Sequence, residues 1–222
     1  MSNESLYVRR SPSFSAAFAA ANPEALQAFG AFNNAVFADR ELSVRIKELI
    51  AVAAAHITGC PYCIEAHVRK AKTLGISQEE LFEASTVAAA VNAHSAFYAS
   101  VNALNAYEQE FVPGDDLYPR SALEQIGRLE PAAPEAYAAF FDYVETTLRP
   151  NRLTAQEKLL VATASAHVTG SAYSIEIFTR RLRDTGATLA QAAEAVLAAT
   201  ALAAGGVLAH RVHTIAAYEP QL

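Results

Sequence analysis

Four side chains in this sequence have types and spacings that could carry chemistry. They are Cys60 and Cys63 in the run Cys60-Pro61-Tyr62-Cys63, His67 four residues further on, and Glu48 twelve residues before the first cysteine. Proline suits the first turn of a helix but not its interior, so Pro61 predicts a helix that begins around Cys60 and stops at Gly75. On such a helix, residues three apart have Cα atoms about 5 Å from one another, close enough for a reversible disulfide. The unpaired N–H groups of the first turn favour a thiolate, which points to Cys63 as a nucleophile near neutral pH. One turn on, His67 projects from the same face and could take or give its proton. Glu48 has two readings: a solvated charge beside Lys47, or an inward carboxyl able to pass protons.

The chain carries its own control. The segment from Lys47, KELIAVAAAHITGCPYCIEAHVRKAKTLG, aligns without a gap on the segment from Lys158, KLLVATASAHVTGSAYSIEIFTRRLRDTG. Pro23-Glu24-Ala25 likewise matches Pro134-Glu135-Ala136, and Tyr107-Glu108 matches Tyr218-Glu219, so the chain is a tandem duplication. At the positions of Glu48, Cys60, Cys63 and His67 the second copy has Leu159, Ser171, Ser174 and Phe178. Four groups that lose their ionisable chemistry together behave as one functional unit, which moves Glu48 into the site. Residues kept in both copies, such as His56 and His167, are better explained by the shared fold, so His56 is expected to be a hydrogen-bonded structural histidine.

The elements that must position these groups read as helices. Asn22-Pro23 opens one through about Ala38, and Leu42 to about Thr58 has helical apolar spacing. Ser77 with Glu80 forms a capping box for a helix to about Val91, and Thr154 with Glu157 repeats the signature in the second copy. Gly205-Gly206 is expected to mark a break. No period-two run is long enough for a sheet, so the expected class is all-α. The divisions are 1–20 as an extension, 21–110 as the first repeat, 111–131 as a connection around FVPGDDLYPR, and 132–222 as a second, degenerate repeat. Phe29, Phe32, Phe140 and Tyr143 are expected in the core.

With 222 residues and only two cysteines, the chain can bury a sizeable core without a disulfide scaffold, which fits a reducing, cytoplasmic setting. A net charge of −6 offers no field for phosphates, so nucleic acid is not an expected partner. Arg9 and Arg10 ahead of an Ala/Phe segment only weakly suggest an export signal. The apolar run Ala195–Ala209 falls short of the roughly 20 residues of a membrane span, so none is expected.

Glu48, Cys60-Pro-Tyr-Cys63 and His67 together resemble the motif of the alkylhydroperoxidase D family, within the carboxymuconolactone decarboxylase superfamily. The resemblance covers the motif helices of the first copy and, in degenerate form, those of the second. It implies an alkylhydroperoxidase D-like helical bundle in which Cys63 is the peroxidatic thiolate and Cys60 resolves its sulfenic acid to a disulfide. Glu48 and His67 would relay protons, with no metal, haem or other cofactor. It further implies a hydroperoxide substrate, a lipoyl- or thioredoxin-like external dithiol, and a homo-oligomer, either a trimer of two-unit chains or a dimer. One departure is Tyr62, where the best-known peroxidases of the family have a histidine. The family's decarboxylases lack the cysteine pair, which counts against lactone decarboxylation.

Two other readings of the same residues stay open on sequence grounds. One is a structural or regulatory zinc site formed by Cys60, Cys63 and His67, with Glu48 or His94 as a fourth ligand. The other is a helical protein with a partner-binding role and two inert buried thiols. His94, replaced by Gly205 in the other copy, is either a substrate contact or a histidine satisfied between helices.

Overall fold

A computed structural model describes residues 19–101, 103, 104, 118, 119 and 121–218. Ten α-helices are found among them: α1 (Pro23–Val36), α2 (Val44–Ile57), α3 (Pro61–Thr73), α4 (Gln78–Tyr98), α5 (Ser121–Ile126), α6 (Pro134–Leu148), α7 (Ala155–Thr169), α8 (Ala172–Asp184), α9 (Leu189–Ala209) and α10 (Arg211–Tyr218). Among the described residues there is no strand, so the all-α expectation stands. The export reading at Arg9 and Arg10 and most of the expected connection lie outside the described residues. Within the expected connection, residues 121–129 form α5 and a 3-10 turn at Gly127–Leu129.

At the centre, α2 and α7 pack against each other, and both pack against α4 and α9. A helix surrounded on all sides must be apolar all round. Both central helices meet this with alanine and small residues: ten consecutive residues of α2, Ile46 to Ala55, are buried, as are nine of α7, Lys158 to Ala166. Ser77, Thr154 and Thr188 each close a capping box at the start of α4, α7 and α9, and each such cap contributes about 1 kcal/mol. Asn22 makes no side-chain cap; Pro23 alone marks the start of α1.

The charges inside this alanine core are paired across the repeat boundary. Lys47, read from sequence as a solvated neighbour of Glu48, is 1% exposed, and its Nζ lies 2.8 Å from Glu194 Oε2. At the matched positions Lys158 Nζ lies 3.1 Å from Glu83 Oε2. Each glutamate also accepts two backbone N–H groups of the opposite copy: Glu194 from Glu41 and Leu42, Glu83 from Arg152 and Leu153. The two repeats are therefore clasped by a symmetric exchange of lysine and glutamate.

Two helix boundaries differ from expectation. Gly205-Gly206 does not break α9, which runs from Leu189 to Ala209, and α4 continues to Tyr98 because no glycine or proline stops it after Val91. By length and composition the helical stretch Leu189–Ile215 is long and apolar enough to cross a membrane, although the uninterrupted apolar run was too short. In the fold, α9 packs against α1, α2 and α7 and buries Ala195, Ala198, Ala199, Ala201 and Leu202 among them. These positions belong to the 39% of its apolar window that the fold buries. Phe32 and Phe140 flank the core as expected, whereas Tyr143 is exposed.

Candidate active site

The cysteines are set by the turn between α2 and α3. Gly59, with φ 64°, takes the left-handed conformation that side chains disfavour. The chain then doubles back so that Cys60 N–H donates to Ala55 O at 3.1 Å. Cys60 becomes the N-cap of α3 and Pro61 its first residue. Cys60 and Cys63 are joined by a disulfide, with Cα atoms 5.3 Å apart. The backbone N–H of Cys63 points at Cys60 Sγ, 3.2 Å away, so the first-turn donor assigned from sequence to Cys63 is aimed at its partner.

Glu48 faces inward. It is 3% exposed, and its Oε2 accepts a hydrogen bond from His67 Nδ1 at 2.7 Å, a short charge-assisted geometry. The His67 ring stacks on Phe37, which fixes its plane. The structure thus holds Glu48 and His67 as a pair, with His67 one turn along α3 from Cys63. Among the described residues no three His, Cys, Asp or Glu side chains converge as metal ligands, and His94 lies elsewhere, so the zinc arrangement drawn from sequence is not assembled.

His94 instead faces the other copy. Its Nδ1 is 2.8 Å from Ser174 Oγ, the position matching Cys63, and its ring packs on Phe178, the position matching His67. Ser95 Oγ reaches Ser174 Oγ at 3.1 Å and Thr169 Oγ1 at 2.8 Å. Burial, with a smaller push from Arg181 only partly countered by Glu145, brings the His94 pKa down to about 4, so this imidazole is neutral at physiological pH. The degenerate site is a closed network of hydroxyls and one histidine, supplied partly by α4 of the first repeat.

The arrangement is reciprocal, because α9 of the second repeat lies over the cysteines of the first. At the positions matching His94 and Ser95 it has Gly205 and Gly206. A Cβ on Gly206 would sit 3.8 Å from Thr58 Oγ1 and 3.9 Å from Cys60 Cβ. Where His94 and Ser95 fill the degenerate site, Gly206 borders a cavity of about 620 Å³ against Cys60, whose wall includes His210, Arg211 and Thr214, while Gly205 faces Phe29. Next to it, Tyr62 Oη and His213 Nε2 are 3.3 Å apart, and the Tyr62 ring meets His210 edge-on.

A family model described as the carboxymuconolactone decarboxylase family matches residues 23–106 and again 134–216, most of the chain. The chain belongs to the carboxymuconolactone decarboxylase family. Its membership in two tandem regions agrees with the duplication and with the resemblance drawn from the cysteine motif. Over 70 residues this family member is 50% identical to uncharacterized protein 4 in the cox locus of Paracoccus denitrificans, a match spanning 32% of this chain and 63% of that protein. Its fold is similar to a crystal structure from Burkholderia xenovorans described as a candidate gamma-carboxymuconolactone decarboxylase subunit. The TM-score is 0.66 at 16% identity, covering 93% of this chain and 92% of that one.

Sequence reasoning missed His210, Arg211, His213 and Thr214. The signal was available in the same comparison of copies read in the other direction. The first repeat has Ala99, Ser100, Asn102 and Ala103 at the matched positions. Within this family member, then, polar groups that only the second copy carries line a cavity against Cys60 of the first.

Proposed function

We propose that this protein is a thiol-dependent peroxidase, an oxidoreductase that reduces hydroperoxides through Cys60 and Cys63. The observation that carries the reading is the part-buried hydrogen bond between Glu48 on α2 and His67 on α3, the helix that presents the Cys60–Cys63 disulfide. In the reduced protein, Cys63 thiolate attacks the distal oxygen of a hydroperoxide. The S–O bond forms as the O–O bond breaks, and the alkoxide leaves with a proton delivered through His67 and Glu48. Cys60 then attacks the sulfenic sulfur and expels hydroxide, which is protonated to water, leaving the disulfide. An external dithiol, lipoyl- or thioredoxin-like, returns both sulfurs to the reduced state. We further propose a homo-oligomer, a trimer or a dimer, working in a reducing cytoplasm.

The test is peroxide consumption by the whole protein supplied with several dithiols. Cys63→Ser should abolish turnover, and Glu48→Gln should reduce it by about 10² or more, the range for a lost acid–base partner. No turnover with any combination of hydroperoxide and dithiol would refute the proposal.

A further inference from the structure

The inference concerns the proton of Cys60, and it rests on the redox reading of Cys60 and Cys63 given above. That reading needs Cys60 to attack as a thiolate, yet His67 with its partner Glu48 lies one helical turn beyond Cys63 and two beyond Cys60. The second repeat brings another imidazole to Cys60. Gly206 of α9 stands against that residue, since a Cβ on it would lie 3.9 Å from Cys60 Cβ. His210 follows one turn later, its N–H donating to Gly206 O at 3.2 Å, so both belong to the same face of α9. Side chains on a helix lean towards its N-terminus, and the bare Gly206 leaves room for this one. His210 and Cys60 both line the cavity of about 620 Å³. Two neighbours set the His210 ring: Tyr62 meets it edge-on with centroids 5.5 Å apart, and the His213 ring lies 5.7 Å away.

The copies differ here as they differ at the sulfurs. At the position matching His210 the first repeat has Ala99. Tyr62 Oη lies 3.3 Å from an imidazole nitrogen of His213, whereas the matching Tyr173 donates its hydroxyl to a backbone carbonyl, Pro119 O, at 3.2 Å. The imidazole that α4 does bring to the degenerate site, His94, is buried and bonded to Ser174, while His210 is half-buried on the cavity. We propose that His210 is the acid–base group of Cys60, taking its proton directly or through water in the cavity, so that the second repeat supplies a second proton route to the site. With Cys63 as a sulfenic acid, the Cys60 thiol gives its proton to His210. The Cys60 thiolate bonds to Cys63 Sγ as the S–O bond breaks, and the departing hydroxide takes a proton from the His67 side to leave as water. Cys60 is oxidised and the sulfenic sulfur reduced, both to the level of the disulfide. When the external dithiol reopens that bond, the His210 imidazolium returns a proton to the Cys60 thiolate.

Among the described residues, the titratable and charged groups beside His210 are Cys60, Tyr62, Arg211 and His213. All four stay in place when His210 alone is replaced, so paired variants isolate it. The full-length Cys63→Ser protein has one thiol, and its ultraviolet thiolate absorbance against pH gives the midpoint of Cys60 with no peroxide present. Adding His210→Gln should raise that midpoint by about one pH unit, the size of a lost thiolate–imidazolium contact. In a Cys60→Ser background the same change should move the Cys63 midpoint much less. With both cysteines present and reduced, a single equivalent of hydroperoxide is added, and dimedone traps sulfenic acid. His210→Gln should consume the hydroperoxide at the native rate, close the disulfide about 10²-fold more slowly and accumulate the dimedone adduct on Cys63. His210→Ala should behave alike and regain fast closure when imidazole is added.

A Cys60 midpoint unmoved in both His210 variants, or disulfide closure at the native rate in both, overturns the inference while leaving the peroxidase reading intact. Slow closure in His210→Ala that imidazole does not restore marks a structural role and overturns it as well. A shifted Cys60 midpoint in a protein inert to every hydroperoxide supports His210 as the partner of Cys60 and refutes the peroxidase.

Discussion

His94→Gln should remove a specific pH dependence from the stability of the fold. In the native protein His94 is 3% exposed, bonded to Ser174, stacked on Tyr98 and in tilted contact with Phe178. Its pKa is depressed from 6.5 to about 4, chiefly because burial penalises the charged ring. The sign follows from linkage. Below pH 6.5 the unfolded chain takes up a proton that the folded chain resists, so the stabilisation is complete above 6.5 and is lost as pH falls towards 4. At 1.36 kcal/mol per pKa unit, the loss over that window is about 3 kcal/mol. Urea unfolding of the native protein and of His94→Gln at pH 7, 6, 5 and 4 measures it, and taking the difference cancels the other histidines. The stability advantage of the native protein should shrink by about 3 kcal/mol from pH 7 to pH 4. A difference that stays constant across the window would refute the account of His94 as a neutral histidine sealed into the degenerate site.

Glu194→Gln should lower Tm by about 10 °C, because it leaves the Lys47 ammonium buried without its counter-ion at a cost of about 3–5 kcal/mol; a thermal melt checks this. Burial raises the carboxyl pKa of Glu83 and Glu194, but hydrogen bonds from backbone and lysine outweigh it and hold both below 4.5. The stability they lend is therefore present above about pH 4.5 and lost as pH falls through their folded values, and Glu83→Gln should flatten the acid limb of a stability–pH curve. In a Cys60→Ser, Cys63→Ser background, Ser171→Cys with Ser174→Cys should form a disulfide by thiol count yet consume no hydroperoxide, since Leu159 and Phe178 cannot relay protons and His94 and Ser95 pack against position 174. Gly59→Ala should destabilise the protein by about 1–2 kcal/mol in urea unfolding, the cost of a side chain at φ 64°.

The helices were legible where local chemistry decides them. Ser77 with Glu80, Thr154 with Glu157, and Pro61 after Cys60 name their boundaries, because the groups that satisfy a helix end lie within three residues of it. Glu48 was legible through the second copy, which lost it together with both cysteines and His67. What stayed hidden depends on which copy faces which. Lys47 looks like a surface residue until Glu194, far along the chain, is brought to it. Gly205-Gly206 looks like a break because glycine is a poor helix former, but packing of α9 against α1, α2 and α7 holds the helix together through both residues. Their small size is felt across the repeat boundary, Gly205 against Phe29 and Gly206 against Thr58 and Cys60.

Because each half lends its long helix to roof the other half's turn, the two copies have been free to specialise. The copy without thiols covers its sibling with the bare Gly206 of α9, and the copy that carries them closes the other with His94 and Ser95 of α4. Separated halves would each be missing a roof and a buried counter-ion, so a chain cut between residues 105 and 117 should regain thiol exchange only when both fragments are mixed.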